Sequence, residues 1–315
     1  MVLNRSEPSA ADTRLVLKVD IDTKVGLLEG VPRLMDIFAQ AGVKASFYIA
    51  MGPDHSGRAL ARLVKPGFLQ KQLRSGAAGA YGITTMLYGV ALPGPIIAQE
   101  APYLFHELIA EGHEVGLHGW DHVFWHDRMR YLPAYRIRAH LGRAWRLYEQ
   151  ITGLAPATFA SPGWQITPTA YQALADMGIS HVSCARGRSP FRPLVEGRPL
   201  PLVELPTTMP TLDEILGRDG VTLDTAAAWL ADQVRPGELN VYTLHGEVEG
   251  RAQAPVMEGL IARLQDRGAS FPRLVDAAAQ EAAKGVPMDE VGWGRAPGRA
   301  GDLAWQASDL AQGAA

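Results

Sequence analysis

The stretch Leu15-Val16-Leu17-Lys18-Val19-Asp20-Ile21-Asp22-Thr23 decides how this chain is read. A short, largely aliphatic run such as 15–19 is the pattern of a buried parallel strand. In a barrel of strands and helices, the carboxyl ends of the strands face the active site, and this strand ends in two carboxylates. Residues two apart on a strand point the same way, so if the strand persists to Asp22 both side chains enter one pocket. Two close carboxylates repel unless a proton or cation separates them. A metal ion resolves the conflict by taking one as ligand and leaving the other as base. Alone, an Asp-x-Asp is more often a helix N-cap or a solvated loop, so the reading depends on what the rest of the chain adds.

Further strand-like runs lie at 45–50, 114–117, 157–160, 181–184 and 240–244, and helical patterns at 28–40, 98–110, 133–152, 168–177, 225–234 and 255–267. Thr167 before Pro168 is an N-cap and first-position pair, and Gly42, Gly178 and Gly268 follow helices as stops. The alternation implies βα units and an α/β fold. With 315 residues, 47% apolar, the chain can bury one large core. The expected division is a disordered segment at 1–13, a catalytic domain at 14–284 and a flexible, Gly/Ala/Pro-rich tail at 285–315. A net charge of -3 gives no global attraction to nucleic acid. The single cysteine, Cys184, excludes an internal disulfide and fits a cytosolic setting; in a strand it reads as a buried small residue rather than a nucleophile. The opening residues lack the apolar core of a secretory signal.

The segment 55–99 departs from a plain barrel. It holds no Asp or Glu; Arg58, Arg62, Lys65, Lys71 and Arg74 crowd its first half, and an uncharged stretch follows at 75–98. That stretch has the length to cross a bilayer, but Gly76, Gly79, Gly82, Gly89, Pro93, Gly94 and Pro95 make it a poor helix. A surface-lying element, its cations meeting anionic head groups or a substrate phosphate, is weighed ahead of spanning and beside an ordinary helical insertion.

The second signal is His118-Gly119-Trp120-Asp121-His122, directly after the run at 114–117. Two histidines four apart share one face of a helical turn, a common way for a short segment to offer two imidazoles to one ion. With Asp22 they leave coordination positions open, as a catalytic ion requires. The third is His245, ending the run at 240–244, where an imidazole facing the pocket suits a proton donor.

In this order Asp20, Asp22, His118, His122, Pro162 in Ala160-Ser161-Pro162-Gly163-Trp164, and Leu244-His245 resemble the polysaccharide deacetylase, or NodB-homology, family across roughly 15–276. The resemblance implies a distorted (β/α) barrel that hydrolyses N-acyl groups from amino sugars. It makes Asp20 the general base, Asp22, His118 and His122 the ligands of one divalent ion (Zn, Co, Mn, Ni or Fe), and His245 the general acid. Longer matches, among them 29–34, 62–66, 190–194 and 245–250, resemble the branch that removes formyl from a formamido sugar carried on undecaprenyl phosphate. They imply lipid A modification, a role in polymyxin resistance, and a peripheral place on the cytoplasmic face of the bacterial inner membrane. The expected partners are that lipid-linked sugar and the membrane surface, with no protein partner. Arg58, Arg62, Lys65, Arg186, Arg192, Glu247 and Glu249 are the candidate substrate contacts, with Asp54 beside the two glutamates. One departure stands out: where many family members carry an Arg that steadies the base, this chain has Ala160. Arg186 and Arg192 are the candidates to compensate. Another N-deacetylase of the family, or a silent sugar- or lipid-binding homologue, are the rival readings.

Overall fold

The computed structural model describes residues 13–60 and 87–313. Seven strands form one sheet: β1 (Arg14–Ile21), β2 (Ser46–Ile49), β3 (Glu114–Leu117), β4 (Thr158–Ala160), β5 (His181–Ser183), β8 (Val203–Glu204) and β9 (Leu239–His245). The hairpin β6 (Arg192–Val195) and β7 (Arg198–Pro199) falls between β5 and β8. The sheet order is β8-β5-β4-β3-β2-β1-β9, with every pair parallel. Its two edges also meet: the Thr208 N–H donates to the Val241 carbonyl (3.1 Å), and its hydroxyl accepts from the Val241 N–H (2.9 Å). The sheet is thus curled into the distorted barrel that the sequence implied.

The two faces of β1 explain why its sequence shows no polar alternation. Leu15, Leu17, Val19 and Ile21 pack into the large cluster shared with the surrounding helices. Val16 points the other way, into a second cluster with Tyr48, Ala160, Val203, Val241 and Leu274. Lys18 and Asp20 follow Val16 at intervals of two, so the strand carries apolar, cationic and acidic side chains in rising layers of one face. The helix Leu274–Lys284, absent from the sequence reading, closes the floor with Leu274, Ala277 and Ala278.

Most outer helices form where the apolar spacing places them: Val31–Ala41, Ala134–Thr152, Pro168–Asp176, Leu223–Gln233 and Ala254–Asp266. The Thr167 side chain accepts from the Ala170 N–H, as an N-cap should. The helix expected over 98–110 is instead two, Ile97–Glu100 and Pro102–Ala110, because a residue before proline is pushed out of the helical region and Ala101 has φ -149°. A glycine is required at Gly30, where an added Cβ would lie 2.1 Å from the Gly246 carbonyl.

The segment after Lys284 is not the loose tail expected. It continues as β10 (Met288–Asp289), β11 (Val291–Gly294), β12 (Leu303–Gln306) and the helix Ala307–Ala311. β12 is stitched to the core by Arg186 N–H to Ala304 carbonyl and Gln306 N–H to Arg186 carbonyl, both 2.8 Å. Leu303, Trp305 and Ala296 bury themselves against Trp164. Most of its apolar residues pack into buried clusters of the core, which composition cannot reveal.

The insertion leaves and rejoins the barrel at one neck. The Asp54 N–H donates to the Pro95 carbonyl (2.9 Å), Pro53 and Ile96 form an antiparallel bridge, and a Cβ on Gly94 would lie 1.9 Å from the Asp54 carbonyl. Arg62, Lys65, Lys71 and Arg74, and the expectation for 1–12, lie outside the described residues. Among the described residues no helix is long and apolar enough to cross a membrane.

Candidate metal centre and active site

Asp20 and Asp22 ride the end of β1, beside β2 on one side and β9 on the other, where Asp20 stands opposite both Tyr48 and His245. His118 follows β3 immediately. His122 comes close by a route the spacing alone did not give: the two imidazoles do not share a helical turn. Gly119, at φ +78°, turns the chain after His118, and the helix His122–Arg128 begins at His122. The Asp121 side chain caps that helix by accepting from the Phe124 N–H at 3.0 Å, and its second oxygen meets His55 Nδ1 at 2.8 Å. The residue between the two histidines therefore also ties the root of the insertion to the site.

Among the described residues, Asp22, His118 and His122 each bring one donor atom within 4.8 Å of the others. His118 Nε2 lies 3.2 Å from Asp22 Oδ1 and His122 Nε2 3.3 Å from Asp22 Oδ2. Bonds of ~2.0–2.2 Å to a tetrahedral cation would separate ligand atoms by roughly 3.3 Å, so the spacing fits. The proton count agrees. His118 Nδ1 is 2.9 Å from the Ala160 carbonyl, a group that can only accept, so Nδ1 carries a hydrogen and Nε2 is the ring atom turned to the site. Nε2 faces Asp22 Oδ1, which is buried. In the neutral ring this is a lone pair facing a carboxylate oxygen, an arrangement that a cation between the two atoms would satisfy.

The electrostatics separate the roles. Burial alone would raise Asp22, but His122, His118 and His245 outweigh it and hold its carboxyl far below the usual range. Burial brings His122 down to about 4 despite the pull of Asp22, leaving a neutral ring with a free lone pair. His245 goes the other way: burial lowers it, but Asp22, Glu249 and Asp20 together raise it above an ordinary histidine, which favours a ring that holds a proton.

Glu247 and Glu249, expected to meet a sugar, are 1% exposed and spend themselves on backbone. Glu247 Oε1 accepts from the N–H groups of Asp22 (2.9 Å) and Thr23 (2.7 Å) and from the Thr23 hydroxyl (2.7 Å). Glu249 accepts from the Tyr242 hydroxyl and the His245 N–H, both at 2.9 Å. Both thus accept from the backbone of the residues at the site, Asp22 and His245. Asp54, equally buried, accepts from the Lys24 and Ser56 N–H groups.

The arginines do not converge on the site either. Arg186 is buried between Trp164 and Trp305, pairs with Glu214 at 3.1 Å and donates to the Met209 carbonyl. Arg192 donates to the Pro201 carbonyl and Arg58 to the Gly89 carbonyl. The cation beside Asp20 is Lys18, fully buried, with Nζ 2.9 Å from Asp20 Oδ2. The signal for it was a lysine inside an apolar strand, two residues before the carboxylate. Cys184 is buried, and burial pushes its thiol well up, so it is no nucleophile.

A curled parallel sheet with an aspartate pair on its first strand and two histidines after its third defines a class. The polysaccharide deacetylase family model matches residues 14–182, and the chain belongs to that family. It is 34% identical over 296 residues, covering 94% of this chain and 95% of the relative, to a protein of Shewanella sediminis named "Probable 4-deoxy-4-formamido-L-arabinose-phosphoundecaprenol deformylase ArnD". A Wigglesworthia glossinidia brevipalpis protein of the same name is 29% identical over 285 residues, covering 90% of this chain and 98% of that one. Among solved structures, a "probable Polysaccharide deacetylase from Pseudomonas aeruginosa PAO1" superposes with a TM-score of 0.60 at 15% identity, covering 89% of this chain and 96% of that one, a likeness of fold.

Proposed function

We propose that this protein hydrolyses the N-formyl group of 4-deoxy-4-formamido-L-arabinose carried on undecaprenyl phosphate, releasing formate and the 4-amino sugar lipid. The observation that carries the chemistry is the convergence of His118 Nε2 and His122 Nε2 on the two oxygens of Asp22, at 3.2 and 3.3 Å, with Asp20 Oδ1 unpartnered next to them. The substrate follows from the relatives, similar over nearly their whole length.

Asp22, His118 and His122 would hold a divalent cation, which when bound would polarise the formyl carbonyl and acidify water. Asp20 Oδ1 accepts a proton from the attacking water as the water oxygen bonds to the formyl carbon. The amine leaves poorly as an anion, so His245 delivers a proton to the nitrogen as the C–N bond breaks. Glu249 holds the His245 backbone and Glu247 the Asp22 backbone while this occurs. The root of the insertion meets the site through the Asp121–His55 contact, and the turn at its end exposes Leu87, Val90 and Leu92. These residues, with Arg58 and the cations of the sequence at 62–74, suit a lipid tail and its phosphate, and support a peripheral position at the cytoplasmic face of the inner membrane as part of the same proposal.

The test is mass spectrometry of the undecaprenyl-linked formamido sugar incubated with metal-loaded protein. The product should be lighter by the mass of carbon monoxide. Asp20→Asn should be inactive yet metal-loaded, and His122→Ala depleted of metal. Release of acetate from the matching acetamido sugar, with no formate from the formamido one, would favour an N-deacetylase of the same family instead.

A further inference from the structure

We propose that Lys18 is the positioning residue for the catalytic base: its ammonium tethers Asp20 Oδ2, which aims Oδ1 at the water and keeps this aspartate from becoming a further metal ligand. The inference rests on the function proposed above. Lys18 lies one layer beneath Asp20 on the inner face of β1, with no exposed surface. Its Nζ is 2.9 Å from Asp20 Oδ2 and 3.5 Å from the Thr243 hydroxyl. The Thr243 hydroxyl is fixed in turn by the Thr207 hydroxyl (2.8 Å), and that by the Trp164 indole N–H (2.9 Å). Lys18 Nζ also sits 5.3 Å from the centre of the Trp164 ring. The ammonium is thus held by three elements, β1, β9 and the turn after β4.

A charge taken fully out of water costs more than a single partner returns, so a buried pair of this kind is a poor device for stability. Its consequence lies in what it does to Asp20. Asp20 Oδ2 is 3.9 Å from His118 Nε2, which leaves it within a small side-chain rotation of the atoms that would hold the cation. Both aspartates could then ligate, and no base would remain. With Oδ2 committed to the ammonium, Oδ1, buried and without a partner, is the free acceptor. In this chain, where position 160 offers only Ala160, the steadying cation comes from beneath the base on its own strand.

The experiment compares Lys18→Met, close in volume but uncharged, with Lys18→Arg, which keeps a cation. Steady-state turnover of the formamido sugar lipid is measured alongside the visible absorption of the cobalt-loaded proteins without substrate. We expect Lys18→Met to bind one cobalt, to lose kcat by roughly 100-fold with KM nearly unchanged, and Lys18→Arg to recover most of the loss. The cobalt spectrum of Lys18→Met should differ from the wild type as Asp20 reaches the ion, and the added Asp20→Ala should restore it. Should Lys18→Met not fold, Lys18→Gln is read in its place. Wild-type kcat together with a wild-type cobalt spectrum in the uncharged variant overturns the proposal. Because the spectrum needs no substrate, a wild-type protein that fails to turn over the formamido sugar sinks the functional reading and leaves this one still tested.

Discussion

Glu247 makes no contact with any proposed reacting atom, yet its removal should cost both stability and metal. Its Oε1 is the shared acceptor for two backbone N–H groups and one hydroxyl at the end of β1. Burial, then the charge of Asp22, pushes its carboxyl up to about 8, and its Oε2 has no hydrogen-bond partner. Glu247→Ala deletes three hydrogen bonds worth about 1 kcal/mol each. It also strands the N–H of Thr23, itself 1% exposed, giving a loss of roughly 3–5 kcal/mol. Asp22 is the residue those bonds hold, and losing a partner that orients a ligand weakens metal binding by roughly 10–100-fold. Glu247→Gln keeps an acceptor oxygen for all three donors, so it should stay near the wild type in both respects. Urea unfolding of chelator-treated protein and calorimetric titration with zinc measure the two quantities. A Glu247→Ala protein that binds zinc as tightly as the wild type would refute the claim that this carboxyl positions Asp22.

Exhaustive dialysis against a chelator should abolish hydrolysis, and adding back zinc or cobalt should restore it; full activity in the chelated protein would remove the basis for the ion. Gly119→Ala forces an alanine to φ +78° and should cost about 1–2 kcal/mol while weakening metal binding, read by thermal unfolding and zinc titration. Stability should fall in mild acid. Burial holds His113 and His140 at about 4, below their unfolded value of 6.5. The unfolded chain therefore takes up protons first as pH drops between those values, and each histidine removes about 2 kcal/mol by pH 5. Urea unfolding at pH 7 and pH 5 measures the loss, and His113→Gln should reduce it. Truncation after Lys284 removes β12 and uncovers Trp164, so the melting temperature should drop by several degrees; an unchanged value would mean the segment is not part of the folded core.

Much of the barrel was legible because buried parallel strands announce themselves as short apolar runs, and six of the seven sheet strands lie within a few residues of where those runs place them. The seventh, β8, is two residues long, too short to show a period. The segment 285–313 was misread because its pairing depends on partners a hundred residues away, at Arg186 and Trp164. Glu247 and Glu249 look like solvated loop carboxylates in the sequence, and nothing local says that backbone N–H groups will close over them.

By itself the sequence determined which residue types were available for the chemistry: an aspartate pair at a strand end, two histidines either side of a glycine, and a histidine ending the last strand of the sheet. Residue type and position along a strand are local properties, so they survive without coordinates. Only the tertiary structure decided which lone pairs face each other, which carboxylate stays unpartnered, and which cation stands beside it. Those depend on registers between strands distant in sequence, such as Asp20 opposite His245 and Lys18 opposite Thr243, and register is fixed by the packing of the whole barrel.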